Sequence, residues 1–156
     1  MSAIAIGLHI GQEETVITLM GADAAKRVLV LQLGSQRIAQ HYFHHVPPTP
    51  DEMENAIMVV EDEISRIRHD IPAGSQLFSN DPLLLNIALL AGVTPSKSPE
   101  LSLAATELTF DRLARVINGR PAHVEGLPEE RDFAATLLIL REFMHHLAFD
   151  KIVMVS

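Results

Sequence analysis

The first quarter of the chain consists of short apolar runs rich in β-branched residues, the pattern typical of β-strands. Three such runs cover residues 3–10, 14–20 and 26–33, and they are separated by Gly11 and by the turn Gly21-Ala22-Asp23. Short turns between such runs favour adjacent antiparallel strands. The chain is therefore expected to open with a β-meander.

After Gly34 the apolar positions follow helical spacing, which predicts a short helix through Phe43. The prolines that follow disfavour helix in the residues before them and predict an extended connection. The segment Thr49-Pro50-Asp51-Glu52 combines an N-cap hydroxyl, proline at the first helical position and a capping box. It predicts a helix from residue 50 to about 69, whose apolar stripe packs on the sheet: Met53, Ile57, Val60, Ile64 and Ile67.

The rest of the chain alternates strand and helix signals. A strand is predicted at 76–79 and a helix from the N-cap Asp81 to Gly92. Further helices are predicted at 110–117, with Thr109 as cap, and from 128 to about 148, before a buried strand at 151–155. The linker-like stretch 94–99 is too short to divide the chain, so residues 1–156 are expected to form a single α/β domain with a mixed sheet.

Composition and charge narrow the function classes. A chain of 156 residues with 47% hydrophobic residues can bury a substantial core. It contains no cysteine, which excludes thiol nucleophiles, cysteine-ligated zinc and disulfide scaffolds and fits a cytoplasmic protein. Twelve basic against twenty acidic residues leave no basic stripe for nucleic acid. The longest apolar stretch, 83–93, is far shorter than the roughly 20 residues that span a bilayer, so no membrane partner is expected.

Histidines form the first candidate site. The chain lacks the common phosphate-loop, dinucleotide, nucleophile-elbow and zinc-protease motifs. His41, His44 and His45 are spaced so that one helical face could present them to a metal ion. No carboxylate lies between them, and adjacent histidines on a helix diverge. A histidine-based metal site therefore stays an alternative to ordinary surface histidines.

Two turns form the second candidate site. A strand followed at once by a capped helix, as at 79–82, can hold an anion on backbone N–H groups. The turn at 10–15 lies between the first two strands, where a glycine-rich sequence would cradle phosphate. It has Gln12, Glu13 and Glu14 instead, which favour an ordinary hairpin.

Several segments, taken in order, carry a resemblance to a known family. They are residues 9–16, 31–38, 47–69, 78–82, 126–132 and 152–156. They resemble the second, C-terminal half-domain of the exopolyphosphatase and guanosine pentaphosphate phosphohydrolase family. Its hairpin Asp-Ile-Gly-Gly-Gly-Ser-Thr-Glu aligns with the first segment, and its turn Gly-Thr-Gly-Gly-Thr falls near the fourth. The resemblance implies an actin-like, ribonuclease H-like fold, in which a mixed sheet with an opening meander is flanked by helices.

The resemblance also implies positions for a small phosphate-containing ligand. The matched residues are Gly11, Thr15, Arg37, Ser79, Asn80 and Arg131, and Arg120 is a further loop-placed cation. His9 and Val16 stand where the family has its metal-binding and catalytic Asp and Glu. The family's N-terminal lobe has no counterpart in these 156 residues. These departures indicate a degenerate, non-catalytic domain that binds a phosphate ligand or acts as a regulatory or interaction module, with no catalytic residue.

One alternative keeps the family's activity. An Mg²⁺-dependent phosphoanhydride hydrolase, acting on polyphosphate or guanosine pentaphosphate, could be completed by a separate N-terminal lobe or by a second copy. A homodimer would imitate the family's two-lobed cleft. Symmetry cannot restore an Asp and a Glu that neither copy has, and the net charge of −8 disfavours long polyphosphate.

Overall fold

A computed structural model describes residues 4–21 and 26–156, so Ala22 and Asp23 of the predicted turn lie outside the described residues. The strands are β1 (Ala5–Ile10), β2 (Thr15–Met20), β3 (Lys26–Leu31), β4 (Gln76–Ser79), β5 (Glu100–Ser102) and β6 (Lys151–Met154). The helices are α1 (Ser35–Tyr42), α2 (Pro50–Ser65), α3 (Pro82–Leu90), α4 (Leu103–Ile117), α5 (Ala122–Glu125) and α6 (Arg131–His146), with a 3₁₀ turn at Arg68–Asp70. In the part of the chain thus described, no helix has the length and apolar character needed to cross a membrane.

The strands form one mixed sheet in the order β3-β2-β1-β4-β6-β5. The first three strands pair antiparallel, which confirms the predicted meander, and β1, β4 and β6 run parallel. The carboxyl ends of parallel strands meet at the same edge of a sheet. This edge, formed by Ile10, Ser79 and Met154 with the turn after β1, is called the carboxyl edge below.

The core lies between the sheet and the helices. Ile6, Leu8 and Ile10 of β1 alternate with less buried residues and are almost fully buried. Helix α6 is the central helix, since residues 133–140 are all buried and α1, α2, α3 and α4 all contact it. One face of the sheet thus carries the apolar core.

The other face of the sheet is much less covered. Strand pairing places Val30, Val16 and His9 in one row across it, and Val28, Thr18, Gly7, Phe78, Val153 and Glu100 in the next. Val28 is 50% exposed and Val30 39%. A side chain added at Gly7 would meet only Thr18 of the neighbouring strand within 4 Å. We call these two rows the open face.

Two predictions about the helices are wrong: the placement of His44 and His45 on a helix face, and the start of α4. Helix α1 ends at Tyr42, so His44 and His45 lie in the loop that follows rather than on a helix face. Helix α4 begins at Leu103, where the Ser102 hydroxyl accepts from the Ala105 N–H at 3.0 Å. Thr109 is not a cap. Its hydroxyl donates to the carbonyl four residues back at 2.8 Å, a bond that threonine makes inside helices.

Smaller differences concern short elements. The capping box at Thr49 and Glu52 is present, but α2 ends at Ser65 and gives way to the 3₁₀ turn. Helix α6 starts at Arg131, three residues after the predicted start. Strand β5 and the one-turn helix α5 were not predicted, because three- and four-residue elements carry too short a pattern to recognise.

Candidate functional site

The carboxyl edge brings the first hairpin against the start of α1. The backbone N–H of Ser35 donates to the Gly11 carbonyl at 2.9 Å. The N–H groups of Gln36 and Arg37 both donate to the Gln12 carbonyl at 3.0 Å. The first turn of a helix normally offers such groups to solvent or to an anion. Here the hairpin backbone already uses those of α1.

The junction between β4 and α3 is filled by the carboxylate of Asp81, whose side chain is only 3% exposed. Its Oδ1 accepts from the Leu83 N–H at 3.0 Å, as the N-cap of α3. Its Oδ2 accepts from the Ile10 N–H at 3.2 Å and lies 3.2 Å from Nδ1 of His9. A negative charge at a helix N-terminus is stabilising. A side-chain carboxylate of the chain thus occupies the turn at which the sequence predicted an anion site.

The two hydroxyl groups predicted to bind phosphate, those of Thr15 and Ser79, form hydrogen bonds to the backbone instead. The Thr15 hydroxyl donates to the Leu33 carbonyl at 3.0 Å. The Ser79 hydroxyl donates to the Leu8 carbonyl at 2.7 Å and accepts from the Asp81 N–H at 3.0 Å. Both side chains are buried. In this arrangement Ser79 links β4 to β1, and Thr15 links β2 to the segment that follows β3.

The other matched residues are spread along the same end of the molecule. The Gly11 N–H closes its own turn by donating to the Glu14 carbonyl at 2.9 Å. Asn80 is exposed, and Arg37 is half-buried in the first turn of α1. Arg131 donates to the Phe43 carbonyl at 3.0 Å and so ties the end of α1 to α6.

The remaining cation, Arg120, forms an ion pair with Glu125 at 2.6 Å. Glu125 also accepts from Arg115, whose hydrogen bond lowers the pKa of that carboxyl. These contacts link the end of α4 to α5. The Arg120 side chain therefore helps to hold α5 next to the end of α4.

A cavity of about 260 Å³ lies beside the hairpin, between α1, α3 and α6. Its polar lining includes Gln12, Ser35, Asn86, Glu130 and Asp132. Its lining includes neither lysine nor arginine. Two carboxylates without a cation disfavour an anionic ligand in this cavity.

The histidines of the predicted metal site bind other partners. His41 Nδ1 lies 2.8 Å from the Arg37 carbonyl, and His45 Nδ1 lies 3.0 Å from Glu52 Oε2. The same carboxylate accepts from the His44 N–H at 2.9 Å. Burial opposes its charge, but the bonds from Thr49, His45 and His44 outweigh burial and lower its pKa to about 2. Within residues 4–21 and 26–156, the three histidines do not form a ligand group.

The role of Asp81 as a helix cap is predictable from the sequence, but its bond to the Ile10 N–H is not. An Asp-Pro pair directly after a strand is a local signal for capping. The contact with Ile10 joins positions 71 residues apart, and it exists because β1 and β4 are parallel neighbours. No local pattern carries that information.

The chain is similar to known proteins in its structure but not in its sequence. No protein-family model matches the chain, and no curated protein matches it in sequence. In a structure of the Aquifex aeolicus Ppx/GppA phosphatase, the match covers 100% of this chain and 54% of that chain, with a TM-score of 0.75 and 13% identity. The match to an exopolyphosphatase from Cytophaga hutchinsonii covers 99% of this chain and 53% of that chain, with a TM-score of 0.72 and 14% identity. The match to an exopolyphosphatase-like protein covers 97% of this chain and 55% of that protein, with a TM-score of 0.70 and 12% identity.

This chain has the fold of the Ppx/GppA structures. The match confirms the predicted resemblance and the α/β, actin-like fold class. The chain spans about half the length of the Ppx/GppA proteins it resembles. At 12 to 14% identity the likeness concerns the fold, so function must be argued from the residues themselves.

Proposed function

We propose that this chain is a Ppx/GppA-related domain that does not hydrolyse phosphoanhydrides and acts through protein contacts. The observation that carries this proposal is the buried Asp81 carboxylate, which accepts from the N–H groups of Ile10 and Leu83. A phosphate ligand would have to displace this carboxylate or bind beside it, against like charge. Both arrangements are unfavourable.

The residues at the carboxyl edge also do not suit Mg²⁺. This ion prefers near-octahedral oxygen ligands, with one or two carboxylates and several waters. Both oxygens of Asp81 accept from backbone N–H groups, and the two positions where the resemblance implies a metal-binding or catalytic Asp and Glu are His9 and Val16. Phosphoryl transfer relies on positioned charge and metal ions. The arrangement therefore supports a domain that has kept the fold without this chemistry.

The open face supports a role in protein contacts. Two of its exposed residues, Val28 and Val30, are β-branched and lie two positions apart on the same face of the edge strand β3. Contiguous exposed apolar surface marks interaction sites. Helix α3 also exposes leucines, but it is only nine residues long, whereas the open face extends across several strands.

The partner proposed for the open face is a second copy of this chain. The Ppx/GppA structures are about twice as long, and a second copy would supply an equal length. The protein carries a net charge of −8, yet the two rows of the open face contain a single acidic residue, Glu100 on β5, and Lys151 pairs with it at 2.9 Å. Two such faces can meet with little like-charge repulsion, in a symmetric interface that uses the same surface twice.

We expect no release of phosphate when the purified protein is incubated with Mg²⁺ and either polyphosphate or guanosine pentaphosphate. The reason is the filled anion position at Asp81. A colorimetric phosphate assay, run beside an active exopolyphosphatase, measures this. Turnover that is abolished by Arg37→Ala would contradict the proposal, because it would place a matched cation in a working site.

We expect the protein to be a dimer in solution and Val28→Glu to make it monomeric. The substitution places a charge on the open face opposite the same charge of the second copy. Light scattering after size-exclusion chromatography measures the mass. Leu108→Glu is the matched control, because Leu108 is 65% exposed on α4, and it should leave the dimer intact. A monomeric wild type, or a dimer broken by Leu85→Glu on α3 instead, would contradict the assignment of the open face.

A further inference from the structure

A cluster of metal-ligating side chains lies where α2 packs against α6. Glu142 and His146 are four residues apart on α6 and therefore share a helix face, and Glu61 reaches them from α2. Among residues 4–21 and 26–156, this is the only group of three or more such side chains whose ligand atoms all lie within 4.8 Å of one another. No local sequence pattern indicates this cluster, since Glu61 is 81 positions from Glu142.

The distances within the cluster match those between ligands of one ion. His146 Nε2 lies 3.0 Å from Glu142 Oε2 and 3.5 Å from Glu61 Oε1. Nitrogen and oxygen ligands bind Zn²⁺ at about 2.0–2.2 Å, so two ligands lie about 3.0 Å apart at a right angle and about 3.4 Å apart at the tetrahedral angle. The imidazole nitrogen thus has the separation from each carboxylate that a shared ion requires.

Burial differs among the three side chains in a way that suits a binding site. The Glu142 side chain is 2% exposed, whereas Glu61 is 42% exposed and His146 27%. The inner carboxylate can therefore hold an ion that enters from solvent past the two outer ligands.

The neighbouring charges orient Glu142 without filling the site. Arg141 Nη1 donates to Glu142 Oε1 at 2.9 Å, and its guanidinium lies 4.7 Å from the centre of the Phe110 ring. This leaves Oε2 for the ion. With a neutral imidazole, two carboxylates and one guanidinium leave one negative charge in excess. His145, the residue before His146 on α6, has a different partner: its Nδ1 lies 3.3 Å from Glu107 Oε1.

We propose that Glu61, Glu142 and His146 form a site for a divalent transition-metal ion of the zinc class, which ties α2 to α6. One imidazole with two carboxylates suits Zn²⁺ and its neighbours, whereas Mg²⁺ and Ca²⁺ favour oxygen ligands alone. Three protein ligands leave a position for water. The site lies apart from the carboxyl edge and does not depend on the proposed function.

The test is a titration of untagged, chelator-treated protein with Zn²⁺ by calorimetry, and with Co²⁺ by visible absorption. We expect one ion per chain. Glu61→Gln and His146→Gln should each weaken binding by at least about 10-fold, as even outer-shell changes do. His145→Gln is the matched control, because it removes the adjacent histidine outside the cluster, and its affinity should equal that of the wild type.

Three results would overturn the proposal. They are a wild type that binds no Zn²⁺, unchanged affinity in Glu61→Gln, and equal weakening by His145→Gln. Circular dichroism checks that each variant is folded. If His146→Gln does not fold, Glu61→Gln decides the question alone, because Glu61 is partly exposed and does not belong to the core.

Discussion

Gly34→Ala is expected to destabilise the protein by about 3 to 5 kcal/mol, at the upper end of single substitutions. A Cβ at residue 34 would lie 2.6 Å from the Glu13 carbonyl carbon and closer still to the Gln12 carbonyl group. These are backbone atoms, so no side-chain rotation can relieve the overlap. The φ angle of Gly34 is −162°, which any residue adopts, so the requirement is for space alone.

Urea unfolding followed by circular dichroism measures the effect. Gly7→Ala is the matched control, because its new Cβ would meet nothing closer than 3.9 Å. Because Gly7 lies on the open face, both substitutions are compared in the monomeric Val28→Glu background, where Gly7→Ala should change the free energy of unfolding by no more than about 0.5 kcal/mol, as for surface substitutions. Equal unfolding midpoints for the two variants would show that the first hairpin does not dock on α1 as described.

This dependence on Gly34 illustrates how far the sequence predicts the fold. The capping box at Thr49 and the three opening strands are encoded by neighbouring residues, and they were predicted within a few positions. Strand β5 has only three residues and exists because β6 pairs with it. The prediction that Thr109 caps α4 was wrong, because a threonine inside a helix cannot be told from an N-cap by residue type alone.

The candidate site was less predictable for a related reason. The resemblance marked Thr15 and Ser79, but the direction of a hydroxyl depends on which carbonyl lies beside it. Those carbonyls belong to Leu33 and Leu8, on other parts of the chain. The same applies to the pairing of Asp81 with the N–H of Ile10. Sequence pattern therefore located the turns, while only the strand order shows how their polar groups are used.

Asp81→Ala is expected to cost about 2 to 4 kcal/mol of stability and to create an anion site. Loss of the N-cap of α3 accounts for about 1 kcal/mol. The N–H of the buried residue Ile10 would also lose its acceptor, which costs about 1 to 3 kcal/mol. The freed N–H groups of Ile10 and Leu83 would then bind phosphate, so added phosphate should raise the melting temperature of the variant more than that of the wild type.

Ser102→Ala separates the two contributions to that loss. Ser102 caps α4 through one exposed hydrogen bond, so its replacement should cost only about 1 kcal/mol. The excess loss in Asp81→Ala then measures the link between β1 and α3. If the two variants unfold alike and phosphate stabilises neither, Asp81 is an ordinary helix cap. The proposal that it replaces a phosphate ligand would then be wrong, because the N–H groups it leaves would have shown no affinity for an anion.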